Sequence, residues 1–241
     1  MLICMKLFKK GPTRKYITNS NAFLNEDDIS FYLLGAYMTD GYICDIKHHI
    51  SFTMTSKDYE WIENIKNIIS PNKPIYSNKV YECYKISISD INSMNWLISY
   101  GCVPRKSKIL KIRKKIPPQY QADFIRGVVD GDGSISSCIY KKVKNNKEYW
   151  YDKTTVYICS ASKIFLEQIK DLIPLNINCG ICTISKSKCN SIIRGKEVIA
   201  TCDNYRLTFN DSNAKKILNW LYYPGHKLSL LRKKNLALKL M

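Results

Sequence analysis

Phe124-Ile-Arg-Gly-Val-Val-Asp-Gly-Asp132-Gly133 decides the fold, because an earlier stretch answers it: Phe31-Tyr-Leu-Leu-Gly-Ala-Tyr-Met-Thr-Asp40-Gly41. Each reads as a short helix ending in Asp-Gly. Asn25 or Asp27 offers a side-chain cap to the first, and Pro117-Pro118 suits the opening turn of the second. Gly41 and Gly133 are expected to stop the two helices. Gly35 and Ala36 in one, and Gly127 and Gly131 in the other, would let two backbones approach closely. Leu33, Leu34 and Tyr37, like Phe124, Ile125 and Val128, are large enough to fill a core in each half.

Working outward, each helix is followed by alternating sequence. His49-Ile-Ser-Phe-Thr-Met-Thr55 puts Ile50, Phe52 and Met54 on one face and His49, Ser51, Thr53 and Thr55 on the other, the pattern of a half-buried strand. Thr155–Ala161 is its counterpart. Both run into Ser-Lys (Ser56-Lys57, Ser162-Lys163) and then an amphipathic helix, Tyr59–Ile69 or Ile164–Ile173. Tyr84–Asp90 matches Tyr205–Asp211 at a displacement of 121 (205 − 84), ungapped as far as Lys106 and Lys227. The Asp-Gly ends are displaced by only 92 (132 − 40), so the second half holds about 29 more residues. These are expected as polar hairpin loops within Tyr140–Asp152 and Lys186–Cys202. The pattern predicts an α+β fold of two pseudo-symmetric α-β-β-α-β-β-α halves, each an antiparallel sheet backed by helices. Residues 26–116 form the first half and 117–241 the second, after a basic extension at 1–25.

The chain has 38 basic and 20 acidic residues among 241, a net charge of +18, which calls for a polyanionic partner such as nucleic acid. Its 45% hydrophobic content and 17 tyrosines fit a folded protein rather than a disordered one. No apolar run approaches the roughly 18 residues of a membrane span. The lysines near the start follow the apolar residues, unlike a secretory signal. A reducing, nucleic-acid-containing compartment is expected, cytoplasm or organelle matrix, with no membrane partner. Cys179-Gly-Ile-Cys182, with Cys189 and Cys202, lacks a second C-x-x-C or H-x-x-H pair, so free buried thiols are expected rather than a structural zinc.

Parallel pairing of the two helices would bring Asp40 and Asp132 together at the negative ends of two helix dipoles, where two carboxylates repel. A divalent cation removes that conflict. Oxygen ligands of this kind suit Mg²⁺, with Mn²⁺ or Ca²⁺ able to use the same site, and no organic cofactor is called for. Such a cation can activate water and stabilise a phosphodiester transition state. One Asp-Gly is a common helix-ending turn. Two, heading matching strand sets, are not.

Leu33-Leu-Gly-Ala-Tyr-Met-Thr-Asp-Gly41 and Ile125-Arg-Gly-Val-Val-Asp-Gly-Asp-Gly133 resemble the paired LAGLIDADG (dodecapeptide) motifs of homing endonucleases. The second is a close match; the first departs at Met38, where the family formula has aspartate. The resemblance runs from about Ser30 to the C-terminus. It implies metal binding at Asp40-Gly41 and Asp132-Gly133, and sheets that form a saddle on duplex DNA. It also implies a basic residue near each cutting centre. Lys106 in Gly101-Cys-Val-Pro-Arg-Lys-Ser, with Lys108 behind it, and the register-related Lys227 in Pro224-Gly-His-Lys-Leu-Ser are the candidates. Ser56 and Ser162 are expected near the metals.

Strand alternation assigns the DNA-facing set. It comprises His49, Ser51, Thr53, Lys85 and Ser87 in the first half, with Tyr157, Arg206 and Thr208 in the second. Lys141, Lys142, Lys188, Arg194 and Lys196 are placed in loops that reach flanking DNA. Unequal halves on one chain suit a monomer with a long asymmetric target. The alternatives are an intron maturase that binds RNA and a non-cleaving DNA-binding protein of the same fold; retention of both aspartates favours the nuclease.

Overall fold

The computed structural model describes residues 16–46, 49–185, 191–193, 196–198 and 201–241. The first half begins with a short helix α1 (Asn21–Leu24) and the motif helix α2 (Asp28–Thr39). Asp27 caps α2, its carboxylate accepting the Ser30 N–H at 2.9 Å, which decides between the two expected caps. Strands β1 (Gly41–Ile46) and β2 (His49–Ser56) follow, then α3 (Tyr59–Ile69), β3 (Tyr76–Asn78), β4 (Cys83–Ile88) and α4 (Ile91–Tyr100). The second half repeats the order. Its elements are α5 (Gln121–Asp132), β5 (Gly133–Lys144), β6 (Lys147–Ser160), α6 (Lys163–Leu172), β7 (Gly180–Ile184), β10 (Asn204–Asn210) and α7 (Asp211–Leu221). A small hairpin, β8 (Ser191–Ile193) with β9 (Lys196–Val198), interrupts it, and α8 (Leu231–Leu240) ends it.

Each half is one antiparallel four-stranded sheet, ordered β1-β2-β4-β3 and β5-β6-β10-β7. The fold is thus α+β, with two equivalent halves. Registers match across them: Met54 faces Ile86 as Ile158 faces Leu207, and Phe52 faces Ile88 as Val156 faces Phe209. These inward residues meet helices of matching pattern. Trp61, Ile62 and Ile65 of α3 are buried, as are Phe165, Leu166 and Ile169 of α6. Covering each such side chain contributes about 1.5–3 kcal/mol, so the sheet-facing stripes dominate the stability of both halves.

The motif helices pack backbone to backbone. A Cβ added at Gly35 would strike the Phe124 carbonyl, and one at Gly127 the Tyr32 carbonyl. Gly131 lies equally close to Thr39. The small residues therefore exist to let α2 and α5 touch. Gly41 and Gly133 act differently from expectation: neither has positive φ, and Gly133 is extended at φ −89° and ψ 164°. They are small because the chain turns straight into a strand across the helix end, where a Cβ at Gly41 would meet the Tyr37 backbone and one at Gly133 that of Val129.

The extra residues also differ from the loops expected. Gly41 faces Met54 while Gly133 faces Ile158, so the displacement between halves grows from 92 (133 − 41) to 104 (158 − 54) across the first hairpin. Tyr140–Asp152 is paired strand from end to end, apart from a turn at Asn145-Asn146 with φ of 51° and 57°. Two consecutive asparagines in the left-handed region make the tight turn that right-twisted strands favour. The remaining growth, from 104 to 121, falls between α6 and β10.

Residues placed by sequence in a basic extension enter the fold before position 25. Phe23 is fully buried against Phe52 and Trp96, and the Ser70 hydroxyl donates to the Ile17 carbonyl at 2.7 Å. Residues 1–15 lie outside the described residues. Of the cysteines, Cys44 and Cys102 are buried and free, but Cys138 and Cys182 are exposed, so burial does not account for all of them. Cys189 lies outside the described residues. Among the described residues, no helix is long and apolar enough to cross a membrane.

Candidate active site

Asp40 is the C-cap of α2 and Asp132 the last residue of α5, so the contact of the two helices brings both carboxylates to one place. The Asp40 carboxyl carbon lies 3.6 Å from where a Cβ would stand on Gly131, one residue from Asp132. Crowding by protein and, after it, the neighbouring Asp132 charge raise the Asp40 carboxyl to about 6; Lys233 and Lys106 act the other way. Asp132 is also raised by desolvation, with Lys106 and Lys233 opposing. Its side chain still reaches solvent, as a group that meets a large substrate must.

Each carboxylate has a lysine beside it. In the first half the buried Lys106 ammonium donates to the Gly41 carbonyl. It is presented by a tight turn, Lys106–Lys108, entered through Arg105 in a left-handed conformation (φ 53°), a strained backbone state for a side-chain-bearing residue. Lys108 is exposed on the same turn. In the second half the lysine is Lys233, not Lys227. Lys233 is 5% exposed, and its ammonium donates to the carbonyls of Val129 (2.7 Å), Asp130 (2.8 Å) and Gly133 (2.7 Å). Burial lowers it to about 8 against the pull of Asp130, Asp40 and Asp132.

Lys227 is exposed and pairs with Asp28 at 2.9 Å. Asp28 opens the twelve-residue α2, about 18 Å along the helix axis from the Asp40 end. The ungapped register misled here. The displacement of 121 holds through α7 and then breaks: Lys106 and Lys233, which meet equivalent glycine carbonyls, are 127 apart (233 − 106). The available signal was Leu231-Arg-Lys-Lys-Asn-Leu-Ala-Leu-Lys-Leu240, a further helical pattern whose apolar positions leave a lysine on its inner face.

What holds Lys233 in place is a second feature the sequence reading missed. Asp130 is fully enclosed and accepts from the Tyr32 hydroxyl (2.8 Å), the Tyr222 hydroxyl (3.0 Å) and the Leu230 N–H (2.8 Å). Burial raises Asp130 to about 6, opposed by those donors and by Lys233. Beside it, buried Arg126 donates to the carbonyls of Leu221 and Leu228 (2.8 Å each) and pairs with Asp123 at 2.6 Å. These bonds fasten residues 221–230 to α5 and so aim the start of α8 at the carboxylates.

Two carboxylates and two glycine carbonyls are hard oxygen donors, and Mg²⁺ is normally held by one or two carboxylates with water and substrate phosphate completing its shell. The residues fit such an ion. Among the described residues no group of three or more Asp, Glu, His or Cys side chains could hold a metal, so the protein's share would be small. The carbonyls of Gly41 and Gly133 already accept lysine ammonium groups, which leaves the carboxylates as the principal ligands.

The serines take structural positions. Ser162 is buried, donates to the Leu110 carbonyl at 2.6 Å and caps α6. The Ser56 oxygen accepts the Asp58 N–H at 3.1 Å, and Asp58 holds Arg232 at 2.9 Å. On the outer sheet faces, Lys85 is exposed, and Ser87, Tyr157, Arg206 and Thr208 are half-buried. Arg206 lies 4.4 Å over the Tyr157 ring. Ser51 and Thr53 are 3% and 7% exposed, too deep for bases to reach. Thr53 spends its hydroxyl on Ser87 at 3.0 Å. The backbone of His49 belongs to β2 and that of Lys196 to β9, while Lys141 and Lys142 belong to β5. Lys188 and Arg194 lie outside the described residues.

No protein-family model and no curated protein sequence matches the chain. Solved structures do. The I-LtrWI LAGLIDADG homing endonuclease bound to target DNA superposes with a TM-score of 0.55 at 13% identity, over 92% of this chain and 90% of that one. LAGLIDADG meganuclease I-AabMI bound to uncleaved DNA gives 0.53 at 13% identity, covering 86% and 87%. I-SmaMI bound to uncleaved DNA in the presence of calcium ions gives 0.51 at 12% identity, covering 86% and 92%. With both halves, the paired motif helices and nearly the whole chain length in common, this protein has the fold of the LAGLIDADG homing endonucleases.

Proposed function

We propose that the chain is a duplex-DNA endonuclease that hydrolyses phosphodiester bonds with a divalent cation, at a long asymmetric target, as a monomer. One observation carries the reading: two carboxylates converge at paired helix ends, each beside a buried lysine bonded to the carbonyl that follows. Such a cluster suits a cation and a phosphate together, because carboxylates are hard oxygen ligands for the one and lysine charge offsets the other. When bound, the cation supplies an activated water and charge neutralisation at the phosphate. Asp40 and Asp132 hold it. Lys106 and Lys233 offset the like charge of the carboxylates. Lys106, with one acceptor in Gly41, keeps donors to orient water or phosphate oxygen, while Lys233, its donors held by the carbonyls of α5, acts as a fixed positive charge. Sheet outer faces bearing Lys85, Tyr157, Arg206 and Thr208 bind the duplex grooves and set the target. DNA and calcium in the structural relatives support this choice over an RNA partner.

The test is incubation with a supercoiled plasmid library of long random inserts, in Mg²⁺ and in EDTA. Mg²⁺-dependent linearisation of a subset is expected, and Asp132→Asn should slow it at least about 10³-fold, several kcal/mol of barrier, with duplex affinity retained. Undiminished cutting by Asp132→Asn removes the carboxylate from the chemistry.

A further inference from the structure

The hairpin β5–β6 outgrows its counterpart. β1 and β2 pair out to Ile46 and His49, whereas β5 and β6 pair out to Lys144 and Lys147. Beyond Ser137, the last position next to a buried partner (Thr154), the second-half ribbon continues for seven residues, about 24 Å of strand.

The two faces of this arm have different chemistry. Register places Cys138 with Lys153, Tyr140 with Tyr151, Lys142 with Tyr149 and Lys144 with Lys147 on one face. It is continuous with Tyr157, which faces Ser134 on one side and Thr208 on the other. That face carries four lysines, three tyrosines and no acid. Tyr140 and Tyr151 stack at 5.5 Å, and the Lys142 ammonium lies 5.5–5.6 Å over both rings, which stiffens the ribbon. The opposite face holds both acids of the arm: Glu148, paired with Lys141, and Asp152, bonded to Ser137. Its other members are apolar, including Trp150 at 67% exposure. Lys142, Lys144, Lys147 and Lys153 thus all lie on the sheet's outer side, away from both acids.

We propose that the arm is a phosphate-tracking extension that holds duplex DNA flanking the second half-site, outside the stretch covered by the four-stranded sheets. A two-stranded ribbon fits the major groove, its right-handed twist follows the duplex, and four lysines on one face, two from each strand, meet phosphates on both rims. An overhang of about 24 Å spans roughly seven base pairs at about 3.4 Å each. The first half has no equivalent, so the footprint is longer on one side. This inference rests on the DNA reading above.

The full-length protein is titrated with mixed-sequence duplexes of increasing length across a range of salt. The comparison is with a Lys142→Gln, Lys144→Gln, Lys147→Gln, Lys153→Gln variant, all four positions being exposed. The variant should lose about 3–4 from the slope of log K against log salt, bind the long duplex at least about tenfold more weakly, and stop gaining affinity at a duplex roughly seven base pairs shorter. Lys163→Gln, on helix α6 and paired with Glu167, should change none of these. Equal slopes and equal length dependence overturn the proposal, as does a loss confined to single-stranded RNA of the same sequence. If the unaltered protein binds no duplex, the nuclease reading itself fails, which is a different result.

Discussion

Three positions on the motif helices occupy the same place in each half and are filled by opposite chemistries. Phe31, Leu34 and Met38 of α2 correspond to Asp123, Arg126 and Asp130 of α5. In the first half these positions are apolar. Phe31 stacks on Tyr120 at 5.3 Å and meets Trp96 and Tyr100 edge-on, within an aromatic cluster. In the second they form a buried polar network that grips the backbone of residues 221–230. One backbone geometry is thus secured by ring packing on one side and by charge-assisted hydrogen bonds on the other. The difference has a consequence for the site. Lys106 reaches its carbonyl from a turn beside the first half's own helix, whereas Lys233 comes from an added helix whose approach the polar network fixes, together with buried Leu230 and Ala237 and the Arg232–Asp58 pair.

The comparison breaks most visibly at Arg126. Arg126→Leu leaves Asp123 buried without its partner and should cost about 3–5 kcal/mol, read from denaturant midpoints. Adding Asp123→Phe, which copies the first half at both positions, should recover much of that loss; an additive pair would show that the two side chains do not act together. A smaller effect separates the inner positions. Asp130→Leu strands the Leu230 N–H and two tyrosine hydroxyls and should cost about 2–4 kcal/mol, while Met38→Leu, a swap of similar volume, should stay under about 1.5. Equal losses would remove the distinction drawn between the halves.

The smallest expected effect is on pH. Asp40, raised to about 6, favours its neutral form in the folded chain. Its contribution to stability is present below about pH 4 and is lost as pH rises through 6, where two charged carboxylates face each other. Thermal scans in EDTA should show that decline, scans in Mg²⁺ should show less of it, and Asp40→Asn should remove the part due to this residue, leaving that of Asp130. A pH dependence identical in the Asp40→Asn protein would assign it elsewhere. Cation-supported cutting should weaken below about pH 6 for the same reason.

Much of this was readable from residues. The repeat, the motif helices, the close approach at Gly35 and Gly127, and the inward and outward faces of the central strands follow from the sequence pattern. Lys106 is indicated only by the family resemblance of residues 101–107, not by a local pattern. What escaped depends on tertiary context. The arm reads as loop in the sequence because Lys-Tyr alternation lacks the apolar-polar contrast that marks a strand, although Asn145-Asn146 signals a tight turn. Ser51 and Thr53 have the right strand parity, but depth on a sheet face is set by neighbours on other strands. Asp130 was read only as part of a motif, since nothing local shows that its partners lie in α2 and near the C-terminus. Lys227 shared a register with Lys106, and only the placement of α8 reveals that the chain gains six residues before the lysine that matters.

The most direct measurement is therefore cleavage of a selected target by Lys233→Met and by Lys227→Met in Mg²⁺. Lys233→Met should lose at least about 10²-fold in rate, the scale of removing one positioned charge or donor, and Lys227→Met should lose less than about twofold. A silent Lys233→Met beside a crippled Lys227→Met would contradict the site described.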